Sequence, residues 1–406
     1  MFARWKESNL REALVTRRGV HLTGVRQCGK TTLAEHLSDD TMRHLSLDLQ
    51  ELQEAAINDP MGFVDRSDGG TLIIDEIQKV PELLDAIKYK IDHDNTKGQY
   101  LLTGSSNLRF IKKVKDSLAG RLGTIRLRTL SLGEISGGKG TFLQSTFKRE
   151  FPVKCDPFDK RDAIHAAFSG GYPEALVLTD KARKAWYRDY IDDLLLKDVS
   201  DVTEIRKLDA LQRIAEWLLS YSSKFFDMKS LCASAQISKE TADSYLNALK
   251  ALYLFDSVPA WSKSDYAKIG KRAKYFAGDP GLVANLLGWN EERVYIDSDA
   301  CGKLMETWVY HEIAAMVDLD SDLTVSQYRD SAQREIDFIV EQADGDIVGI
   351  EVKSGSNVES EDFKHLKWFA ANLAKSTFTG IVLYTGSAVL RFGEGFYAVP
   401  MSMLTY

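Results

Sequence analysis

The stretch His21-Leu22-Thr23-Gly24-Val25-Arg26-Gln27-Cys28-Gly29-Lys30-Thr31-Thr32-Leu33 limits what this chain can fold into more than any other, because it holds the spacing Gly24-x-x-x-x-Gly29-Lys30-Thr31. Glycines at those positions let the backbone curl until successive N–H groups converge on a phosphate, and a helix opening near Lys30 adds the positive end of its dipole. In that setting the Lys30 ammonium neutralises the outer phosphates and the Thr31 hydroxyl ligates Mg²⁺. The setting requires strand, loop and helix in succession. Gly19 to Thr23 reads as a short strand and Thr32 to Leu37 as helix, so the pattern predicts a nucleotide site in an α/β domain.

The second half of such a site is an apolar strand that ends in acids. Gly70-Thr71-Leu72-Ile73-Ile74-Asp75-Glu76 fits: a buried parallel strand whose end points carboxylates at the phosphates, Asp75 holding Mg²⁺ through water and Glu76 polarising the attacking water. Gln99-Tyr100-Leu101-Leu102-Thr103-Gly104-Ser105 is another apolar strand with a polar end. Where an ATPase inserts an extra strand between loop and acid strand, a polar residue here senses the γ-phosphate; Thr103 and Ser105 are the candidates, although an ordinary strand-ending turn has the same pattern. Arg121 lies inside a basic segment that also holds Arg109, Lys112, Lys113, Lys115, Arg126 and Arg128. It is a candidate arginine finger for a neighbouring copy's nucleotide, and equally a surface arginine or a phosphate contact.

With 406 residues the chain exceeds what one core usually supports, so two or three domains are expected. Apolar residues make up 44% and charged residues 27%, with no bilayer-length apolar run and no signal-peptide pattern in MFARWKESNLREAL, so the expectation is a cytoplasmic protein with no membrane partner. Cys28, Cys155, Cys232 and Cys301 lack the paired spacing of zinc sites. A net charge of −7 excludes a wholly basic nucleic-acid coat and leaves only local basic patches to bind DNA.

Taken in order, TGVRQCGKTTL, IIDEIQKVPELLDAIKYKID, YLLTGSS, SLAGR, GGYPEAL and WYRDYIDDLLLKDVSD resemble the prokaryotic AAA-type P-loop ATPases whose carboxy-terminal half is a domain of unknown function related to PD-(D/E)XK nucleases. The resemblance implies ATP binding by Gly24, Val25, Arg26, Gln27, Cys28, Gly29, Lys30, Thr31 and Thr32, Mg²⁺ at Thr31 and Asp75, and water activation by Glu76. It also implies that the Gly171-Tyr172-Pro173 element brings Pro173 close to the nucleotide. The segment from Phe142 to Lys160 matches no motif.

Further along, Leu208 to Tyr221, Met228 to Ala235 and Ser238 to Leu252 carry apolar residues at helical spacing, with Ser238 a plausible N-cap. The strand-like Tyr253 to Val258 follows, then a basic run with aromatics: Trp261, Lys263, Tyr266, Lys268, Lys271, Arg272, Lys274, Tyr275 and Phe276. That is the layout of a winged helix with the run in the place of the wing, where lysines contact DNA phosphates; the competing reading is a packing module between domains whose lysines are merely solvated. The last part begins with a helix around Glu306 and continues with strands at Arg334 to Val340 and Ile347 to Lys353. Alternation puts Glu351 and Lys353 on one face. Asp337, Glu351 and Lys353, with Glu306 on the preceding helix, match the D…E-x-K constellation, in which Asp337 and Glu351 bind Mg²⁺ and the lysine stabilises a scissile phosphate. Ile336 stands where that pattern has proline.

The expected architecture is α/β: an AAA-type P-loop NTPase with a parallel sheet over 1–165, a helical and winged-helix region over 166–290, and a restriction-endonuclease-like α/β domain over 291–406. The expected activity is Mg²⁺-dependent ATP hydrolysis that drives or switches the later modules, with DNA as partner and a homo-oligomer if Arg121 works in trans. The alternatives are an ATP-regulated DNA nuclease and a non-catalytic nucleotide switch that binds DNA or another partner.

Overall fold

The computed structural model of the chain describes residues 2–38, 40–66, 69–105, 120–152, 155–199, 208–263 and 272–406. The described strands of its first part are β1 (Gly19–Thr23), β2 (Arg43–Ser46), β3 (Leu72–Asp75), β4 (Tyr100–Gly104) and β5 (Leu122–Arg126). They form a parallel sheet in the order β2-β3-β4-β1-β5. Every residue of β1, β3 and β4 is buried, because helices cover both faces of a parallel sheet and leave neither to water. Successive side chains therefore enter different cores: Val20, Leu22, Ile73 and Leu101 pack on one face, Leu72, Ile74, Tyr100 and Leu102 on the other. β4 lies between the strand that leads into the phosphate loop and the strand that ends in Asp75, the inserted-strand arrangement expected from Gln99 to Ser105.

The middle of the chain is helical. Helices at Leu208–Ser220, Met228–Ala235 and Lys239–Ala251 precede an antiparallel ribbon of β6 (Phe255–Val258) and β7 (Lys274–Ala277). Ser238 is the N-cap of the third helix, its Oγ accepting the Thr241 N–H at 3.3 Å.

The described members of the basic aromatic run divide: Lys263 and Arg272 are exposed, whereas Trp261, Lys274 and Phe276 turn inward. Trp261 is buried against Phe369, Phe276 is buried against Tyr310, and Lys274 is 2% exposed inside a cluster of carboxylates. Strand alternation turns Lys274 and Phe276 to the same inward side. Tyr266, Lys268 and Lys271 lie outside the described residues, as do Arg109, Lys112, Lys113 and Lys115.

The carboxy-terminal part contains β8 (Leu323–Arg329), β9 (Glu335–Gln342), β10 (Ile347–Lys353), β11 (Phe378–Tyr384), β12 (Leu390–Arg391) and β13 (Phe396–Pro400). They form a mixed sheet in the order β12-β13-β11-β10-β9-β8. The Ser298–Val317 helix packs through Trp308 and Val309 with Phe338, Val340, Val348 and Ile350. Leu366 and Phe369 of the Lys364–Asn372 helix pack on another core with Ile339, Ile347 and Val382. A single cluster of buried side chains joins Leu22 of the first sheet, Ile214 of the helical region and Phe338 of the second sheet. The unmatched segment after Phe142 forms the Phe142–Lys148 helix, and the Thr141 N–H before it donates to the Tyr406 carbonyl at 2.9 Å. Among the described residues no helix is long and apolar enough to cross a membrane.

Candidate nucleotide site and a carboxylate cluster

The phosphate loop is shaped by its glycines. Gly29 has φ +98°, a left-handed conformation that side chains rarely adopt, and a Cβ on Gly24 would meet the Leu127 carbonyl oxygen at 2.1 Å. Lys30 opens its helix and is buried, its Nζ donating to the carbonyls of Gly24 at 3.0 Å and Val25 at 2.9 Å. The Thr31 hydroxyl donates to Asp75 Oδ2 at 3.0 Å, and the Thr103 hydroxyl also donates to Asp75. The end of β3 is thus tied to the loop helix and to β4. A hydroxyl and a carboxylate side by side are the oxygen donors that suit Mg²⁺, so Thr31 and Asp75 fit the ion.

Glu76, the next residue, is held at φ 56° and ψ 44°. A non-glycine residue there is strained, and such strain concentrates at functional sites. Burial pushes the Glu76 carboxyl up, while Lys30 and a hydrogen bond from Gln78 pull it partly back. Gln78 Nε2 donates both to Glu76 and to Ser105 Oγ, the latter at 3.1 Å. The glutamine lies so close to β4 that a Cβ on Gly104 would meet its Oε1 at 2.7 Å. Lys30, Thr31, Glu76, Gln78 and Ser105 all line one cavity of about 670 Å³. Of the two candidate γ-phosphate sensors, Ser105 faces that cavity, whereas Thr103 is spent on Asp75.

Side chains from elsewhere hold the outside of the loop. Arg4 is buried, donating to the carbonyls of Cys28 and Arg128, each at 2.7 Å, and to Glu134 Oε1 at 3.1 Å. Tyr190 donates to the Arg26 carbonyl at 3.2 Å and accepts from Tyr172 at 3.1 Å. Pro173, the next residue, begins the Pro173–Leu176 helix and lines the cavity with Gln27, Cys28 and Thr32. Sequence reasoning missed Arg4, which belongs to no motif, and gave no role to Tyr190, which lies within the WYRDYIDDLLLKDVSD stretch. Gln78 was detectable in principle as a polar side chain between the buried Ile77 and Val80. Arg121 lies away from this cavity, paired with Asp92 at 2.6 and 3.0 Å.

Behind β5 the sheet is joined to the later parts by charge. Asp256 on β6 accepts from Arg126 at 2.8 Å, Arg128 at 2.6 Å and the Tyr310 hydroxyl at 3.0 Å, while Arg128 also reaches Asp318 at 2.7 Å. Burial pushes the Asp256 carboxyl up, and Arg126 and Arg128 outweigh it, leaving it well below the usual carboxylate range.

The carboxy-terminal constellation is brought together only in part. β9 and β10 pair as far as Phe338 and Ile350 and then part, so that the Asp337 carboxylate takes the Val352 N–H at 2.9 Å. Glu306 and Glu335 join it around Lys274, whose Nζ pairs with Glu306 and lies 3.0 Å from Glu335 and 3.5 Å from Asp337. Burial, reinforced by Asp337, pushes Glu306 up to about 8, and burial pushes Glu351 well up. Lys353 turns to an ion pair with Asp362. Among the described residues no group of three His, Cys, Asp or Glu side chains is placed to hold a metal ion. The Mg²⁺ expected at Asp337 and Glu351 fits poorly because the Lys274 ammonium already lies 3.5 Å from the Asp337 carboxylate.

A parallel sheet with an inserted strand, a glycine-shaped phosphate loop and an acid pair at the end of β3 are the parts of a P-loop nucleotide-binding domain. Residues 16–136 match the AAA domain family. Residues 160–293 and 301–404 match two domains of unknown function, DUF8612 and DUF4143. Two curated relatives, from Mycobacterium bovis and Mycobacterium tuberculosis and both described as uncharacterized, are 25% identical over 355 residues, covering 86% of this chain and 73% of theirs. Among solved structures, a Walker-type ATPase of Pyrococcus abyssi has a TM-score of 0.45 at 16% identity, covering 71% of this chain and 96% of that one. A structure of Drosophila ORC bound to DNA has a TM-score of 0.20 at 11% identity, covering 70% and 84%. Likenesses this loose establish no shared function.

Proposed function

We propose that the chain is an ATP-binding, Mg²⁺-dependent ATPase whose cycle drives or switches its helical and carboxy-terminal modules, with DNA as the partner those modules engage. The observation that supports hydrolysis most strongly is the cavity that brings Lys30 and Thr31 to face Glu76 and Ser105, with Gln78 joining the last two. Loop N–H groups and Lys30 would bind the phosphates; Mg²⁺, held by Thr31 and by Asp75 through water, would supply charge neutralisation at the β- and γ-oxygens. Glu76 orients and polarises the attacking water, and the Gln78 amide fixes the angle of its carboxylate. Ser105 reports whether a γ-phosphate is present, since movement of its hydroxyl is passed through Gln78 to Glu76.

The coupling to later modules is supported by Tyr190 and Arg4 on the loop carbonyls and by Arg126 and Arg128 on Asp256. Three helices followed by an antiparallel ribbon are the order of elements in a winged helix, which supports that reading of the middle region. DNA would be met by its exposed surface rather than by Lys274, and the boundaries 1–165, 166–290 and 291–406 divide the three roles. Arg121 is the candidate to reach the nucleotide of a neighbouring copy, exchanging Asp92 for phosphate. ATP turnover measured with wild type, Lys30→Ala and Glu76→Gln tests the reading. Turnover that survives in both variants would refute it.

A further inference from the structure

Lys274 is accounted for neither by the phosphate loop nor by an exposed wing. It belongs to β7 of the middle region, paired with Val258, yet its ammonium lies among Glu306 of the Ser298–Val317 helix and Glu335 and Asp337 of β9. A lysine is almost never fully buried unless paired, and this one has three N–H donors facing three carboxylates. The second oxygen of Asp337 is occupied by the Val352 N–H, and Lys353 is engaged by Asp362. A phosphodiester-cleaving centre of the D…E-x-K kind needs a divalent ion between its carboxylates and a free lysine beside them. Here an ammonium already lies 3.5 Å from Asp337, one of the two carboxylates that would hold the ion, and Lys353 is already paired.

We propose that Lys274 is the resident cation of this cluster, which makes the cluster a socket for the β6–β7 ribbon and excludes a divalent metal while the ribbon is docked. A divalent ion within a few ångströms of a buried ammonium would be strongly repelled, so the two cations compete for the same carboxylates. The socket also explains how the ribbon is held from two sides. Asp256, opposite Phe276 on the ribbon, is gripped by Arg126 and Arg128 of the ATPase domain, while Lys274 is gripped by the carboxy-terminal domain.

The test is an electron paramagnetic resonance titration of the full chain with Mn²⁺ in the absence of nucleotide, so that its outcome does not depend on the ATPase reading. Wild type and Asp337→Asn are expected to titrate alike. Lys274→Met is expected to gain a bound Mn²⁺ that the Lys274→Met, Asp337→Asn double variant loses. A Mn²⁺ held by wild type and lost in Asp337→Asn would overturn the proposal, as would a folded Lys274→Met that gains none. Should Lys274→Met not fold, the comparison of wild type with Asp337→Asn decides alone, equal titrations supporting the proposal and unequal ones overturning it.

Discussion

Replacing Asp256 by alanine removes one carboxylate and leaves two guanidinium groups facing each other. The Arg128 and Asp256 side chains are 9% and 12% exposed, so Arg128 gains little water in return, while Arg126, at 24%, gains more. Breaking a buried ion pair from one side costs about 3 to 5 kcal/mol. Arg128 keeps Asp318 at 2.7 Å, which places the expected loss for Asp256→Ala near the lower end, about 3 kcal/mol. Asp256→Asn keeps an acceptor for Arg126 and Tyr310 but not the charge, and roughly 2 kcal/mol is expected. Urea unfolding at neutral pH reads both values. The sign with pH is fixed as well: the Asp256 carboxyl is depressed in the folded state, so its contribution is complete above the unfolded value of about 3.9 and fades as pH falls through the folded value. The gap between wild type and Asp256→Ala should therefore be constant from neutral pH down to about pH 4 and narrow below it. A loss under about 1 kcal/mol, the size of an exposed pair, would refute the claim that this buried network joins the domains.

Other outcomes follow from the nucleotide site. Lys30→Ala should abolish ATP binding in a fluorescence titration, because the loop lysine beside Thr31 in the cavity is removed. Glu76→Gln should bind ATP as wild type does yet lower turnover by roughly 10² to 10⁴, the usual share of a general base. The Glu76 carboxyl lies above its ordinary value, so turnover should fall on the acid side at a higher pH than for an ordinary carboxylate. Gln78→Ala removes a hydrogen bond that lowers that value, so the fall should move to still higher pH in a pH profile of kcat.

Much of this was legible in the sequence where one residue type is required by local geometry. Gly24, Gly29, Lys30 and Asp75 announce themselves because backbone curvature, phosphate charge and strand burial leave few alternatives. The Leu208, Met228 and Lys239 helices and the Ser238 cap were equally readable, since apolar spacing and capping act within a few residues. Partners distant in the chain were not. Arg4 reaches Cys28, Gln78 reaches Ser105 and Lys274 reaches Glu335, each contact made by a fold that no short pattern encodes even where, as at Gln78, the residue itself could be picked out. The basic run was legible only in part: Lys263 and Arg272 are exposed, whereas the strand phase of Lys274 and Phe276 turns both inward.

The central claim is that the loop, Asp75 and Glu76 form a working ATPase coupled to modules that engage DNA. Its most direct test is steady-state ATP turnover with and without duplex DNA for wild type, Lys30→Ala and Glu76→Gln. The account predicts turnover by wild type that changes on adding DNA and is lost in both variants. Turnover that is absent from wild type, or that persists unchanged in Glu76→Gln, would contradict it.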